Sequence, residues 1–178
     1  MNVPVLVSAL ALAGTLSACL TSWPGAPYFD VVDEVPTKVA RELDASHRGA
    51  RRVTPVYRRH VEGRWGRYRI VSQCFLLEDP RSTVRRVEID ESGSVRVHPA
   101  TRTEALPEEL RQIFFAREHA VARGGVVSGP VWYFDDQRGG ERVYEFEFTV
   151  DGQRGLGRIG ESGRHMSAEP ILPDRDHP

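Results

Sequence analysis

The chain has 178 residues, enough for one ordinary domain with its own core, or two very small ones once a removable leader is subtracted. Lys+Arg total 24 against Asp+Glu 25, a formal net charge of −1. That excludes the overall basic excess which drives a whole molecule onto nucleic acid or an anionic membrane, so no nucleic-acid partner is expected and charge has to be read locally.

From Val3 to Leu16 the residues are apolar or small. The run is short for a membrane span of about 20 residues and suits the apolar region of a signal peptide. Small residues then lead into Cys19, and Leu16-Ser17-Ala18-Cys19 resembles the bacterial lipobox. The resemblance implies cleavage before Cys19, acylation of its thiol and a membrane-tethered, exported protein. Leu20 rather than an aspartate follows the cysteine, a pattern that implies the outer membrane where the host has one. An ordinary secretory leader and an uncleaved anchor are the alternatives. With Cys19 capped, Cys74 has no partner for an intramolecular disulfide. It alternates in phase with Tyr68, Ile70 and Leu76, which makes it a buried structural thiol.

Residues 1–18 are thus expected to be a leader, and residues 19–32, with Trp23-Pro24-Gly25-Ala26-Pro27, an extended tether. Two amphipathic helices follow, each with proline in the first turn and glycine past the end. One opens at Val35-Pro36 with Val39 and Leu43 on its apolar face. The other opens at Leu106-Pro107, with Leu110, Ile113, Phe114 and Val121, and carries His119.

After each helix the hydrophobic period drops to two, as in strands. The first copy gives Val53–Tyr57 and Tyr68–Val71, broken at Gly63; the second gives Val127–Trp132 and Tyr144–Phe148, broken at Gly139-Gly140. Each ends at the same turn, Glu91-Ser92-Gly93 and Glu161-Ser162-Gly163, and Asp151-Gly152 is a further two-residue hairpin signal. Glu78-Asp79-Pro80 reads as a surface loop inserted in the first copy. The expected fold is α+β, as two repeats of one helix packed on a four-stranded antiparallel sheet, spanning residues 33–101 and 102–170, with 171–178 as a tail.

The block from Leu106-Pro107 through Val143-Tyr144-Glu145-Phe146, Val150-Asp151-Gly152 and Glu161-Ser162-Gly163 resembles the PepSY-like domains, exported modules similar in fold to the beta-lactamase-inhibitor proteins. The first copy has no close match to Asp151-Gly152. The resemblance implies binding or inhibition of another protein rather than catalysis.

Catalytic chemistry has little to stand on. The six histidines, at 47, 60, 98, 119, 165 and 177, include no pair with metal-hydrolase spacing, and Ser128-Gly129 and Ser162-Gly163 lack a nucleophile-elbow sequence. Gly155-Leu156-Gly157 with Gly160 lies in a strand pattern rather than a phosphate-cradling loop, and Asp135-Asp136 precedes a glycine turn. No catalytic residue, resident metal or cofactor is assigned. The competing enzyme reading is a metal-dependent hydrolase built from His60 and His98 on neighbouring strands with nearby acids. A purely structural envelope protein is the third.

Alternation places Tyr144, Phe146, Phe148 and Val150 on the helix-facing side and turns Glu145 and Glu147 to the other. In the first copy Tyr68 and Ile70 face the helix, while Arg67 and Arg69 face away with Arg58, His60, Arg86, Arg96 and His98. These rows, with Tyr133, Trp132 and Trp65 as aromatic anchors, form the candidate surface for an envelope protein or peptide. Two other arrangements satisfy the same alternation: a polar face left in water, or a basic row and an acidic row that meet inside the protein.

Overall fold

The computed structural model describes residues 26–117, 124–136 and 140–173. The leader, Cys19, most of the tether, His119, Val121, Gly139 and His177 lie outside the described residues. Strands run as β1 (Tyr28–Val32), β2 (Arg51–Arg52), β3 (Val56–Glu62), β4 (Tyr68–Glu78), β5 (Val84–Asp90), β6 (Val95–Thr103), β7 (Val126–Asp136), β8 (Glu141–Val150), β9 (Gln153–Gly160) and β10 (Met166–Pro170). Helix α1 (Thr37–Ser46) follows β1 and helix α2 (Glu108–Arg117) follows β6. No described helix is long and apolar enough to cross a membrane.

Pro36 and Pro107 stand immediately before the helices, and their carbonyls accept the first helical N–H bonds, from Ala40 and Arg111, each at 2.9 Å. Glu108 and Glu109 in the first turn of α2 suit the positive end of the helix dipole. Val39 and Leu43 of α1 bury against Val56, Phe75, Leu77, Val87 and Ile89. Leu110, Phe114 and Phe115 of α2 bury against Val131, Tyr144, Phe146, Phe148, Val150 and Ile159.

The expected pair of separate four-stranded sheets is not what the chain builds. All strands belong to one 10-stranded antiparallel sheet in the order β1-β3-β4-β5-β6-β7-β8-β9-β10, with β2 paired to β4 off the path. The expected boundary at 101/102 falls inside β6, which pairs with β7 from Ala100↔Phe134 to Thr103↔Val131. The sheet curls until its ends meet. Phe29 forms an isolated parallel bridge with Ile171, and the Leu172 N–H donates to the Phe29 carbonyl at 2.8 Å. The result is a nearly closed barrel with both helices on its outside.

A second correction concerns the tether. Its last residues form β1, whose Tyr28, Phe29 and Asp30 are buried, because they pair with His60, Arg59 and Arg58 of β3. A third concerns phase. Register shifts between Arg59↔Ser72 and His60↔Ile70, so Val71 is an extra residue and the side chains of β4 change face there. Tyr68 and Ile70 therefore lie on the outer face, while Cys74 and Leu76 point into the barrel.

In β9 the outward positions Gly155 and Gly157 are glycine, while Leu156 and Arg158 between and beyond them point inward. A Cβ on Gly157 would stand 2.7 Å from Phe114 and 2.9 Å from Phe146, and one on Gly155 would stand 2.4 Å from Phe148. These glycines make room for Phe146 and Phe148 of β8 and for Phe114 of α2, which meets them edge-on at centroid distances of 4.9 Å (Phe114–Phe146) and 5.2 Å (Phe114–Phe148). Gly157→Ala is expected to lower unfolding free energy by about 1–3 kcal/mol through overpacking. A urea titration checks this: the midpoint should fall with little change in slope.

Candidate functional site: the charged interior and mouth of the barrel

The inward rows of the two halves face each other across the barrel. Glu145 of β8 accepts from Arg86 of β5 (Nε 3.2 Å, Nη2 3.1 Å) and from Arg158 of β9 (Nε 2.7 Å). Arg86 is 1% exposed; it also donates to Glu88 at 2.9 Å and lies 4.5 Å from the Phe134 ring centroid. Arg158 reaches on to the Cys74 sulfur at 3.4 Å. Nearer the β1/β10 seam, Arg59 grips Glu169 through Nε (2.7 Å) and Nη2 (2.6 Å). The Tyr57 hydroxyl donates to Glu147, which also accepts from Arg154 at 2.6 Å.

Burial alone would raise the Glu145 carboxyl, but the Arg86 and Arg158 guanidiniums outweigh it and hold its pKa at about 2. Burial would raise Glu88 too, but the charge and hydrogen bond of Arg86, with the charges of Arg158 and Arg96, together hold it below the usual carboxylate range. Burial pushes the Cys74 thiol up, and Glu145 adds to the rise, so the thiol stays protonated and a poor nucleophile. Burial and the neighbouring Glu147 push the Tyr57 hydroxyl upward, keeping it a neutral donor.

At one end the interior opens into a cavity of about 170 Å³, lined by Val53, Thr54, Pro55, Pro130, Trp132 and Leu156 above the Tyr57–Glu147 pair. Trp132 contributes to that lining, while its indole N–H is itself closed to water and finds no acceptor among the described residues. A second recess, about 280 Å³, lies among Arg86, Glu88, Arg96, His98, Phe134 and Arg158. Its charges already neutralise one another: Arg96 donates to Asp90 at 3.2 Å, and Arg86 and Arg158 are paired as above.

The predicted site residues do not form one surface. Glu145 is buried and Glu147 is turned inward, so the acidic row meets Arg86 and Arg158 of the protein itself rather than solvent. Arg58 lies on the outer face, bonded to Asp30 through Nε at 2.8 Å. His60 is 2% exposed on that same face, 3.2 Å from Asp30 and stacked on Tyr28 with ring centroids 4.6 Å apart. Arg96 is half-buried; Tyr133 is covered by Tyr144 and by the Arg142 guanidinium, 4.5 Å from its ring. Of these predicted residues only Trp65, Arg67 and Arg69 stand exposed, Arg69 paired to Glu91 at 2.5 Å.

The composite metal site also dissolves. His60 and His98 are on β3 and β6, separated by β4 and β5, and they lie on opposite faces of the sheet. Among the described residues no three His, Cys, Asp or Glu side chains gather as metal ligands. Sequence reasoning missed Arg158, Tyr57, Arg59 and Glu169. Arg158 had a readable signal, since it alternates in phase with Leu156 and stands directly across from Glu145 on β8.

A carboxylate held low stabilises the fold fully above its unfolded value, near pH 4.5, and loses that contribution as pH falls through about 2. Melting temperature is therefore expected to drop as pH is lowered through that window, while Arg86 and Arg158 lose their counter-charge. Glu145→Gln should cost about 3–5 kcal/mol at neutral pH, because it strands the buried Arg86 guanidinium and the partly buried one of Arg158, and should shrink the acid-dependent decline. Calorimetry across pH on both proteins reads each effect. No family model, curated protein or solved structure matches the chain.

Proposed function

We propose that this chain is an exported protein held in the cell envelope through lipid on Cys19, and that its barrel is a non-catalytic module binding a protein or peptide. The observation that carries the binding reading is the cavity at the barrel mouth. Its wall is largely apolar, with Val53, Pro55, Pro130 and Leu156 around the Tyr57, Glu145 and Glu147 side chains. A volume of about 170 Å³ matches one large apolar side chain, since an engineered cavity of ~150 Å³ holds benzene.

The charged groups near the mouth support binding over catalysis. Glu145 and Glu147 are each occupied by protein donors, and no described carboxylate there is left to act as a general base. The PepSY-like resemblance of the segment from Leu106 to Gly163, with its implication of protein binding or inhibition, belongs to this same reading.

A photo-reactive benzoylphenylalanine in place of Val53, which is 37% exposed at the rim, tests it in intact envelopes. The expected result is a crosslink to a partner segment that is absent when the probe replaces Glu109 on the exposed side of α2. A peptide of that segment should bind the wild type at least about ten-fold tighter than Thr54→Trp, which closes the mouth. Equal binding by the two proteins would refute the mouth as the site.

A further inference from the structure

The β3–β4 hairpin ends in a turn unlike any other part of the molecule. Trp65 is 94% exposed, the most exposed large apolar side chain described, and Arg64, Gly66 and Arg67 around it are exposed as well. The turn is closed by a hydrogen bond from the Gly63 N–H to the Arg67 carbonyl at 2.7 Å, and Trp65 and Gly66 both have φ of 70°. A tryptophan in that left-handed region is disfavoured for a side chain of its bulk. Here the conformation drives the indole outward instead of folding it back onto the strands.

The hairpin also projects. Pairing of β4 with β5 stops at Ser72↔Asp90, and pairing of β1 with β3 stops at Tyr28↔His60. Residues Tyr68–Val71 therefore extend beyond β5, about 13 Å at roughly 3.3 Å per residue. The protruding segment carries Arg64, Arg67 and Arg69 against Glu62, with Glu91 of the next turn paired to Arg69.

From this geometry we infer that the β3–β4 turn is a docking tip for an anionic bilayer surface, with Trp65 seated at the headgroup level and Arg64 and Arg67 on lipid phosphates. The inference rests on the lipid anchor proposed above. Tryptophan is the side chain most at home at that interface, and arginines beside it gain from the negative surface potential. A protein partner of ordinary kind needs about 800 Å² on each side. The tip offers only Trp65 and the half-exposed Ile70 as apolar contacts, whereas a bilayer needs no matching shape.

Chain connectivity supports the same placement. Tyr28 opens β1 beside the tip, opposite His60 and with its ring 5.1 Å from that of Tyr68. It follows Cys19 by nine positions (28 − 19), a reach of at most ~32 Å. An acylated Cys19 thus holds this end of the barrel close to the membrane and raises the effective concentration of lipid at the tip. The cavity mouth lies at the other end of the same hairpin, where Tyr57 pairs with Cys74, and so faces away from the bilayer.

The test uses the full chain as its host makes it, reconstituted into phosphatidylglycerol or phosphatidylcholine vesicles. The fluorescence of Trp65 is isolated as the difference between wild type and Trp65→Phe. In phosphatidylglycerol the difference emission should shift to shorter wavelength and be quenched at least about two-fold by brominated lipid. An Arg64→Glu/Arg67→Glu variant with unchanged melting temperature should lose the quenching, as should wild type in phosphatidylcholine.

Emission open to aqueous acrylamide and untouched by brominated lipid would overturn the inference. So would Trp65 shielded by a protein in native envelopes but not by lipid. Fatty-acid incorporation, compared between wild type and Cys19→Ser, is read separately. Quenching without label would remove the anchor and keep the tip; label without quenching would do the reverse.

Discussion

Glu145 sits where the two halves of the molecule meet, and two guanidiniums share it. Arg86 comes from the opposite wall of the barrel and Arg158 from the adjacent strand, so one carboxylate ties β5, β8 and β9 together. Withdrawing three charges from water is expensive, several kcal/mol for each ion, and their attraction serves mainly to offset that cost. The benefit is geometric. Apolar contact is non-directional and tolerates sliding, whereas a forked guanidinium on a carboxylate fixes distance, angle and register at once. With Arg59–Glu169 and Tyr57–Glu147 repeating the device along the interior, the spacing of the walls is set by polar contacts.

This division of labour explains the layering. Most of the apolar mass of the protein lies outside the barrel wall, in two clusters under α1 and α2, while the enclosed space combines arginine, glutamate and tyrosine with a smaller apolar cluster of Phe29, Tyr57, Cys74 and Leu156. Each sheet face is thus buried, one by a helix and the other by the opposing wall. What remains exposed and chemically distinctive is confined to the two ends: an apolar mouth at one and the Trp65 turn at the other.

Local pattern in the sequence carried part of this. Alternation correctly separates Tyr144, Phe146, Phe148 and Val150 from Glu145 and Glu147, and the glycine turns at Gly93, Gly152 and Gly163 fall between strands with positive φ. Alternation cannot say what an outward row will face. Arg86 and Glu145 are 59 positions apart, and nothing local distinguishes a row that meets water from one that meets its complement. The pairing of β6 with β7 is equally silent, because α2 intervenes and suggests a new unit. At Val71 a single extra residue reverses the phase of β4, which is why Cys74 and Tyr68, read as sharing a face, do not.

The seam between β1 and β10 has one further meaning, for the order in which the structure can form. β1 is the earliest of the described strands to be synthesised and β10 the last, yet they are brought together by the Phe29–Ile171 bridge. A chain still being synthesised can lay down its first helix and hairpins early, but cannot complete the ring until β10 has emerged. Closure therefore awaits contacts of long sequence separation, which form slowly, and an unfinished intermediate carries two open edges of the kind that pair with neighbouring chains. Emergence of β10 is thus built into the topology as a condition for reaching the native state.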